Sequence, residues 1–343
     1  MKTVQANSLM MKQVNTNLVR NVLKTSELAT KAELAKATGL TVVTVASILR
    51  ELVAEGEAVM EKMIPSNGGR PSQCYSYNAE YQHVLVFYTH EVNGKDTLFI
   101  RVVNLLGKCV HNEICGAELL DVNMLDDFID CLIVVYPTIA AIGFGLPGPE
   151  QNGTFLCDYP QLHGKELGKY YRERYHLPVV FDNDVNSAIL GYCTQHGKME
   201  NIVVYIYFPD KYPPGVGVCI NGKVYKGMNS FVGEVKYIPL GIDWKKLSAD
   251  TQQNTCKAAA KLITTMICTI NPQQIVLQGE FLLQGELSPE MALELVRTET
   301  ARYLPETAMA ELSVSTDFHK DFEQGIIRCT LELLSSKLCL VKE

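Results

Sequence analysis

The stretch AIGFGLPGPE, residues 141–150, spaces three glycines as G-x-G-x-x-G, the fingerprint of dinucleotide-binding folds. That fingerprint requires a strand, a tight turn and then a helix whose N-terminus receives the pyrophosphate. The apolar run that ends at Ile142 is suited to the strand, but Pro147 and Pro149 flank the third glycine and would break the helix. The sequence therefore argues against a Rossmann fold, and the loop must serve another ligand.

The composition indicates a globular protein of two or three domains. The chain has 343 residues, of which 47% are hydrophobic and 20% are charged. No apolar stretch is long enough to span a bilayer, and the N-terminal residues lack the apolar core of a signal peptide. The eleven cysteines are scattered singly, which favours reduced thiols over disulfides or a metal finger. We therefore expect a cytoplasmic protein without membrane contacts.

The net charge of −7 is unevenly distributed along the chain. Residues 1–78 hold nine Lys or Arg and six Asp or Glu, whereas the remainder holds 22 and 32. This asymmetry argues against coating by nucleic acid along the whole chain and singles out a mildly basic N-terminal segment. We expect residues 1–78 to form the first domain.

Three helices are predicted within this basic segment. The first lies in residues 15–25, where the apolar positions are Leu18, Val22 and Leu23. The second begins after Thr30, because Glu33 three residues later completes a capping box. Gly39 supplies a turn, and Thr41 is suited to cap a third helix that ends at Gly56. Two short helices joined by such a turn are typical of a helix-turn-helix.

The third helix and the segment after it carry the predicted DNA contacts. Residues 58–78 are predicted to form two strands joined by a loop, which together make a wing. Small hydroxyl side chains at the start of a helix allow close approach to a major groove, and arginine reaches phosphate or guanine. The predicted contact residues are Thr41, Val42, Thr44, Ser47, Arg50 and, in the wing, Arg70. The alternative is a three-helix bundle with no DNA partner.

Beyond residue 79, apolar strand-like runs alternate with helical segments, which predicts an α/β body of two lobes. The predicted strands are residues 83–90, 97–104, 139–146, 178–184, 201–208 and 275–279. The predicted helices are residues 126–136, 163–175, 184–193, 252–268 and 324–338. We expect the first lobe to cover 79–195, joined by a C-terminal helix at 322–343, and the second lobe to cover 196–321.

The order of seven motifs resembles the ROK family, which contains sugar-responsive repressors and sugar kinases. The motifs are ATGLTVVTVASILRELVAEG (37–56), NGGRP (67–71), GFGLPGPEQNG (143–153), LPVVFDNDVNSA (177–188), INGKVYKG (220–227), FVGEVKYIPL (231–240) and NPQQIVLQGE (271–280). The resemblance extends from about residue 15 to the end. It implies a winged helix-turn-helix followed by a two-lobed actin-like, ribonuclease H-like body, with the proline-rich loop of the opening stretch beside a sugar cleft.

The resemblance also implies two glycine-bearing loops that cradle ATP phosphates in the family's kinases, and both are altered here. Val92 stands where the first loop has an aspartate, and Asp96 where it has a hydroxyl residue. In the second loop, residues 211–214 are Lys-Tyr-Pro-Pro, and the two prolines remove backbone donors. We therefore expect no phosphoryl transfer, no catalytic residue and no cofactor.

The family's structural zinc site is expected to be absent as well. Tyr237 occupies the histidine position of the motif at 231–240, and the segment that follows offers only Cys256. One thiolate without a histidine does not make a four-ligand zinc site.

Four positions of the family's sugar site remain, by the same resemblance. Gly148 belongs to the loop beside the cleft, and Asn183 and Asp184 match a pair whose carboxylate is the catalytic base of the kinases. Glu234 matches a glutamate that binds sugar hydroxyls. The alternatives are that Asp184 only caps the following helix and that Glu234 only caps a turn.

These features favour a bacterial transcription regulator, and specifically a repressor of carbohydrate-related genes, whose body senses a sugar or sugar derivative. Its expected partners are a double-stranded DNA operator and further copies of the chain, as a homodimer or a dimer of dimers. One alternative is a sugar kinase with an attached DNA-binding domain. The other is a regulator whose body only oligomerises.

Overall fold

The computed structural model describes residues 2–66, 69–148, 150–151, 154–157, 159–249 and 251–336. The N-terminal module consists of α1 (Lys2–Thr25), β1 (Ala29–Thr30), α2 (Lys31–Thr38), α3 (Val42–Glu55), β2 (Ala58–Ser66) and β3 (Gly69–Tyr77). Strand β3 pairs antiparallel with both β1 and β2, so the predicted helix-turn-helix is followed by a wing.

Local capping positions α2 and α3 as the sequence predicts. The Thr30 side chain accepts from the backbone N–H of Glu33, and the Glu33 carboxylate accepts from the N–H of Thr30, which completes the capping box. The Thr41 hydroxyl accepts from the N–H of Thr44 at 3.1 Å. Gly56 ends α3 in the left-handed region at φ +84°.

The core of the module is formed by apolar residues from all three helices, including Val19, Leu23, Leu34, Val45, Ile48, Leu49 and Leu52. Of the apolar positions that indicate the first helix, Leu18 is 40% exposed, and its neighbour Val19 is fully buried. Packing against α2 and β3 sets the rotation of α1, and a short apolar pattern does not specify it. The Arg20 guanidinium forms a buried ion pair with Glu57 and thereby ties α1 to the base of the wing.

The first lobe is built on a five-stranded sheet in the order β10-β7-β4-β5-β6. Its elements are β4 (His83–Val92), β5 (Lys95–Asn104), β6 (Cys109–Gly116), α4 (Val122–Val135), β7 (Ile139–Gly145), β8 (Glu150–Gln151), β9 (Thr154–Phe155), α5 (Leu167–Tyr175), β10 (Val179–Asp182) and α6 (Asp184–Gln195). The strands β4, β5 and β6 are antiparallel, whereas β7 and β10 run parallel to β4.

The second lobe repeats that topology in the order β13-β12-β11-β14-β15. Its elements are β11 (Ile202–Phe208), β12 (Gly215–Ile220), β13 (Lys223–Val224), α7 (Gln252–Ile270), β14 (Gln274–Gly279), α8 (Glu280–Leu283), α9 (Pro289–Ala301) and β15 (Glu311–Val314), followed by α10 (Phe318–Ser336). Here too the first three strands are antiparallel and the last two are parallel to the first.

Helices α6 and α10 join the lobes. They pack against each other, and together with residues of β4, β11, β12 and β14 they form one buried cluster between the two sheets. Close approach requires glycine at two points: a Cβ on Gly191 would lie 1.9 Å from the Asp321 carbonyl oxygen, and one on Gly325 would lie 1.7 Å from that of Ser187.

In the part of the chain that the structure describes, no single helix is long and apolar enough to cross a membrane. Only α2 and α3 taken together would be, by length and composition, and that pair is bent by 113°.

Candidate functional site

The predicted DNA contacts of α3 lie on its outer face. Thr41, Ser47 and Arg50 are exposed, Val42 is half-exposed and Thr44 is partly buried. The hydroxyls of Thr41 and Thr44 lie 2.9 Å apart, and the first of them also caps the helix. Ser47 and Arg50 therefore carry the polar groups of this face that are not engaged in helix capping.

The wing carries one further predicted contact, and the start of α3 exposes an apolar side chain that the sequence analysis did not single out. Arg70 lies in β3, but its side chain is outside the described part of the structure. Val43 is among the most exposed large apolar side chains of the module and follows Val42 at the start of α3. An apolar residue within a helical pattern gave no signal for a surface role.

A cleft of about 930 Å³ lies between the lobes, and all four predicted ligand residues line it. Gly148 comes from the connection after β7, Asn183 and Asp184 from the start of α6, and Glu234 from the second lobe. The structure thus brings together residues from three segments and both lobes. Their role as ligand contacts remains a prediction.

The opening stretch forms one wall of this cleft. Strand β7 ends at Gly145, and the next helix in the described residues is α5, which begins only at Leu167. Gly148 adopts φ +114°, and a Cβ there would lie 2.2 Å from the Leu156 carbonyl oxygen. A tight turn that packs against the backbone of Leu156 in the same chain therefore takes the place of the helix that a dinucleotide fold would need.

Asn183, rather than Asp184, is the cap of α6. The Asn183 side-chain oxygen accepts from the N–H groups of Val185 at 2.9 Å and Asn186 at 3.3 Å. Asp184 is the first helical residue, and one of its carboxylate oxygens also accepts from the Val185 N–H at 2.8 Å. Asp184 is therefore not the N-cap, although its carboxylate still accepts from the first turn of α6, and it also lines the cleft, where the helix N-terminus stabilises its charge.

The alternative for Glu234 is wrong, because its side chain makes no capping hydrogen bond to the short helix at Val235–Tyr237. It forms an ion pair with Lys236 at 3.1 Å instead. The preceding Gly233 adopts φ +99° and packs so closely that a Cβ would lie 1.9 Å from the Val216 carbonyl oxygen. Glu234 is therefore held against β12 at the edge of the cleft.

An ion pair between the lobes was missed at the sequence level. Lys226 of the second lobe donates to Asp182 at 2.6 Å, and Asp182 is only 4% exposed. Asp182 also accepts from the N–H of Asn183 at 2.9 Å. Both residues lie in motifs that carry the family resemblance, but a single sequence gives no sign that they meet.

A second ion pair spans the lobes at the positions of the two altered phosphate loops. Lys211 lies 2.8 and 2.9 Å from the two carboxylate oxygens of Glu91. Strands β4 and β5 are joined by the two-residue turn Asn93-Gly94, with φ values of +51° and +78°. This tight hairpin has the dihedral signs of a type I′ turn, and it brings Glu91 opposite Asp96.

The cleft is acidic. Among the described residues its lining contains eight carboxylates against three lysines, and each lysine is paired with a carboxylate. This excess of carboxylates over lysines disfavours anionic ligands such as nucleoside triphosphates.

The two positions tested against the zinc motif have other surroundings. Tyr237 is exposed and stacks on Phe231, with ring centroids 5.4 Å apart. Cys256 is buried in the core of the second lobe, and burial raises the pKa of its thiol to about 11. Within the described residues no group of three His, Cys, Asp or Glu side chains could hold a metal ion.

Comparison with known sequences supports the resemblance. Residues 117–246 match the sequence model of the ROK family. The xylose repressor of Caldicellulosiruptor bescii is 26% identical over 244 residues, which cover 67% of this chain and 59% of the relative. The xylose repressor of Bacillus subtilis strain 168 is 26% identical over 252 residues, which cover 71% and 65%. The chain therefore matches about three-fifths of the length of these curated relatives.

Solved structures share the fold. A ROK family transcriptional regulator described as a homologue of the E. coli MLC protein has a TM-score of 0.69 at 17% identity, covering 96% of this chain and 99% of that one. A putative N-acetylmannosamine kinase from Listeria monocytogenes has a TM-score of 0.57 at 14% identity, covering 75% and 100%. The predicted fold class is thus confirmed, and the match to the ROK family model lies within the two-lobed body, at residues 117–246.

Proposed function

We propose that this protein is a DNA-binding transcription regulator, and specifically a repressor of carbohydrate-related genes, whose cleft binds a sugar or sugar derivative without phosphorylating it. Relatives named xylose repressor and the ROK regulator that matches nearly the whole chain support the regulator class. One observation carries the sensing role: Asp184 and Glu234 line the cleft, while the Lys211–Glu91 ion pair spans the positions of the phosphate loops.

The DNA-binding half of the proposal rests on the winged helix-turn-helix. The outer face of α3 enters the major groove through Ser47 and Arg50, and Arg70 of the wing enters the adjacent minor groove. Two such modules in a homodimer read half-sites about 34 Å apart or a multiple of that distance. The partner is therefore a pseudo-palindromic, double-stranded operator.

The residues of the cleft distinguish the proposal from two alternative functions. A sugar kinase with a DNA-binding domain has kinase neighbours in its favour, but here prolines remove phosphate donors and carboxylates surround the site. A body that only oligomerises gains no advantage from placing Asp184 and Glu234 on one open cleft. The sugar sensor is consistent with both observations.

The test measures operator binding with and without sugar. An operator is first selected from random duplexes by the full chain, and its affinity is then measured by fluorescence anisotropy while D-xylose and other sugars are added. We expect an effective sugar to change operator affinity by about 5- to 150-fold. Arg50→Ala should weaken operator binding, whereas Arg297→Ala, on the exposed side of α9, should not.

Asp184→Asn separates sugar sensing from helix capping, since it keeps the size of the side chain and removes the charge. It should abolish the sugar response, while Asp243→Asn, an exposed carboxylate outside the cleft, should retain it. If no sugar alters operator affinity, the body that only oligomerises becomes the better account.

A further inference from the structure

The end of the cleft beside Lys211 is rich in hydrogen-bond acceptors and poor in donors. Glu91 and Asp96 face each other across the β4–β5 hairpin, and the second lobe contributes Asp210 and Glu280. Both oxygens of Glu91 already accept from Lys211. The two prolines that precede β12 have no N–H to offer. A phosphate needs donors, and this end of the cleft offers the opposite chemistry.

Two of these carboxylates repel each other. The charge of Asp210 raises the pKa of Glu280 most, and burial and a hydrogen bond between the two side chains raise it further. Asp210 follows β11 and Glu280 follows β14, and these parallel strands end side by side, with Phe208 opposite Gly279. A cation between them would relieve the repulsion.

Two buried polar atoms of the cleft point independently to a ligand. Thr89 lies on β4, is only 4% exposed and lines the cleft, and its hydroxyl has no hydrogen-bond partner among the described residues. Gln278 of β14 also lines the cleft, and its buried side-chain oxygen is likewise unpaired within the described part of the chain. An amide oxygen can only accept, so the missing group beside Gln278 is a donor.

Aromatic and imidazole rings line the same cleft. Tyr207 stacks on Phe318 with ring centroids 3.9 Å apart, and His90 stacks on His319 at 5.1 Å. Burial, helped by the neighbouring His319, lowers the pKa of His90 to about 4, so this ring is neutral at neutral pH. Uncharged aromatic faces attract cations.

We propose that this end of the cleft is a subsite for a protonated amine, so that the effector is an amino sugar whose ammonium group lies among Asp210, Glu280 and Gln278. Thr89 supplies a further hydrogen bond from the first lobe. The proposal rests on the proposed sugar-sensing function and narrows its ligand class. Acceptors, carboxylates and aromatic faces together favour an ammonium group over a phosphate.

The experiment compares ligands that differ only in amine against hydroxyl. The full chain is titrated calorimetrically with 6-amino-6-deoxy-D-glucose against D-glucose, and with 1,3-diaminopropane against 1,3-propanediol. We expect each amine to bind at least about tenfold more tightly than its hydroxyl counterpart, as charge-assisted hydrogen bonds allow. Glu280→Gln should remove most of this preference, and Glu286→Gln, an exposed carboxylate outside the cleft, should leave it intact.

Thr89→Val distinguishes a ligand-binding role of the Thr89 hydroxyl from a purely structural role. The variant removes a buried hydroxyl without a partner and keeps the shape of the side chain, so the unliganded chain should be at least as stable while amine binding weakens. A loss of stability with unchanged amine binding would contradict a ligand role for Thr89.

The outcomes for the subsite and for the sensing function are separate. Equal affinity for amine and hydroxyl in both ligand pairs overturns the subsite, even if plain sugars alter operator binding. If the amines are preferred but no ligand changes operator affinity, the subsite stands and the sensing function does not.

Discussion

The two lobes share one strand order and differ in the connection between their first two strands. In the first lobe the connection is the two-residue turn Asn93-Gly94, and in the second it is the six-residue segment 209–214, which contains three prolines. The sheets behind these connections bury apolar residues in the same arrangement. The core therefore retains the repeated architecture, while the connections that border the cleft hold the differences on which the proposed function rests.

Helix α10 contacts both lobes through consecutive residues. Phe318 stacks on Tyr207 at the end of β11, and His319 stacks on His90 near the end of β4. The second-lobe contact stays uncharged at acidic and neutral pH, since burial raises the pKa of Tyr207 above its ordinary value, whereas the first-lobe contact can be protonated. The same helix thus makes one permanent contact and one titratable contact.

The two ion pairs between the lobes differ in burial. Asp182 is nearly inaccessible, whereas Lys211 and Glu91 are both well exposed to solvent. Burial decides the effect of an ion pair, because an exposed pair contributes little and a buried charge that loses its partner is costly.

The largest effect is expected where both lobes share the α6–α10 contact. Gly325→Val would place a side chain against the backbone of Ser187, where even a Cβ would lie 1.7 Å from the carbonyl oxygen. The helices cannot move apart without opening the cluster between the sheets, so the free energy of unfolding should fall by more than about 3 kcal/mol. Urea denaturation followed by circular dichroism measures the loss.

Gly197→Asn is the control for that variant. Gly197, unlike Gly325, adopts a positive φ of +64°, but nothing lies within 4 Å of its Cβ position, and asparagine tolerates this conformation. We expect a change below about 1 kcal/mol. A loss of stability for Gly325→Val as small as that for Gly197→Asn would show that the lobes are joined less tightly than the packing of the two helices indicates.

A smaller loss is expected from the buried ion pair. Lys226→Met leaves Asp182 buried without its partner, and since Lys226 itself is 37% exposed we expect roughly 2–3 kcal/mol of destabilisation rather than the full effect of a buried pair. Lys211→Met is the matched variant on the exposed pair and should cost at most about 1 kcal/mol. Equal losses from the two variants would remove burial as the distinguishing factor.

Most of the fold was accessible to sequence analysis because long apolar runs mark buried strands. All six predicted strand segments coincide with β4, β5, β7, β10, β11 and β14. The edge strand β6 was missed, since Cys109–Gly116 is mostly polar and partly exposed and so lacks an apolar run. Helix α9 was also missed, because Pro289–Ala301 buries only a few residues and its pattern is mixed.

The site was accessible only where its residues lie together in sequence. Asn183 and Asp184 are adjacent within one motif, and the family resemblance points to them directly. Lys226 is 44 residues from Asp182, and Lys211 is 120 residues from Glu91, so their pairing depends on how the lobes meet. Thr89 lies within an apolar strand, where no sequence pattern distinguishes a hydroxyl that lines a cleft from one buried in a core.

The titratable contact of α10 predicts a pH effect confined to the first lobe. The pKa of His90 lies near 4 in the folded chain, below its ordinary value of 6.5, so the unfolded chain binds a proton that the folded chain does not. Stability should therefore fall by about 2 kcal/mol as the pH decreases from 6.5 towards 4. Other groups near this ring are His319, Glu91 and Asp317, so the comparison must be made between variants.

His90→Phe keeps an aromatic ring against His319 and removes the proton, so it should flatten this part of the stability profile. Tyr207→Phe changes the corresponding second-lobe contact and should leave the slope between pH 6.5 and 4 unchanged. Denaturation midpoints across this range, measured for the three proteins, test the difference. Parallel profiles for wild type and His90→Phe would place the acid sensitivity elsewhere.

The smallest effect is expected from ATP. We expect neither connection between the first two strands to cradle a phosphate, because the first lobe has a tight hairpin with Asp96 facing Glu91 and the second has prolines, which lack an N–H. A coupled assay with ATP and a range of sugars should show only background, against roughly 1–100 per second for kinases. Replacing Lys211, Pro213 and Pro214 by glycine should not create activity, because the hairpin of the first lobe is unchanged. Turnover in the kinase range by either protein would mean that other groups hold the phosphates. The function would then be that of a sugar kinase with a DNA-binding domain, and not that of a repressor whose cleft senses a sugar.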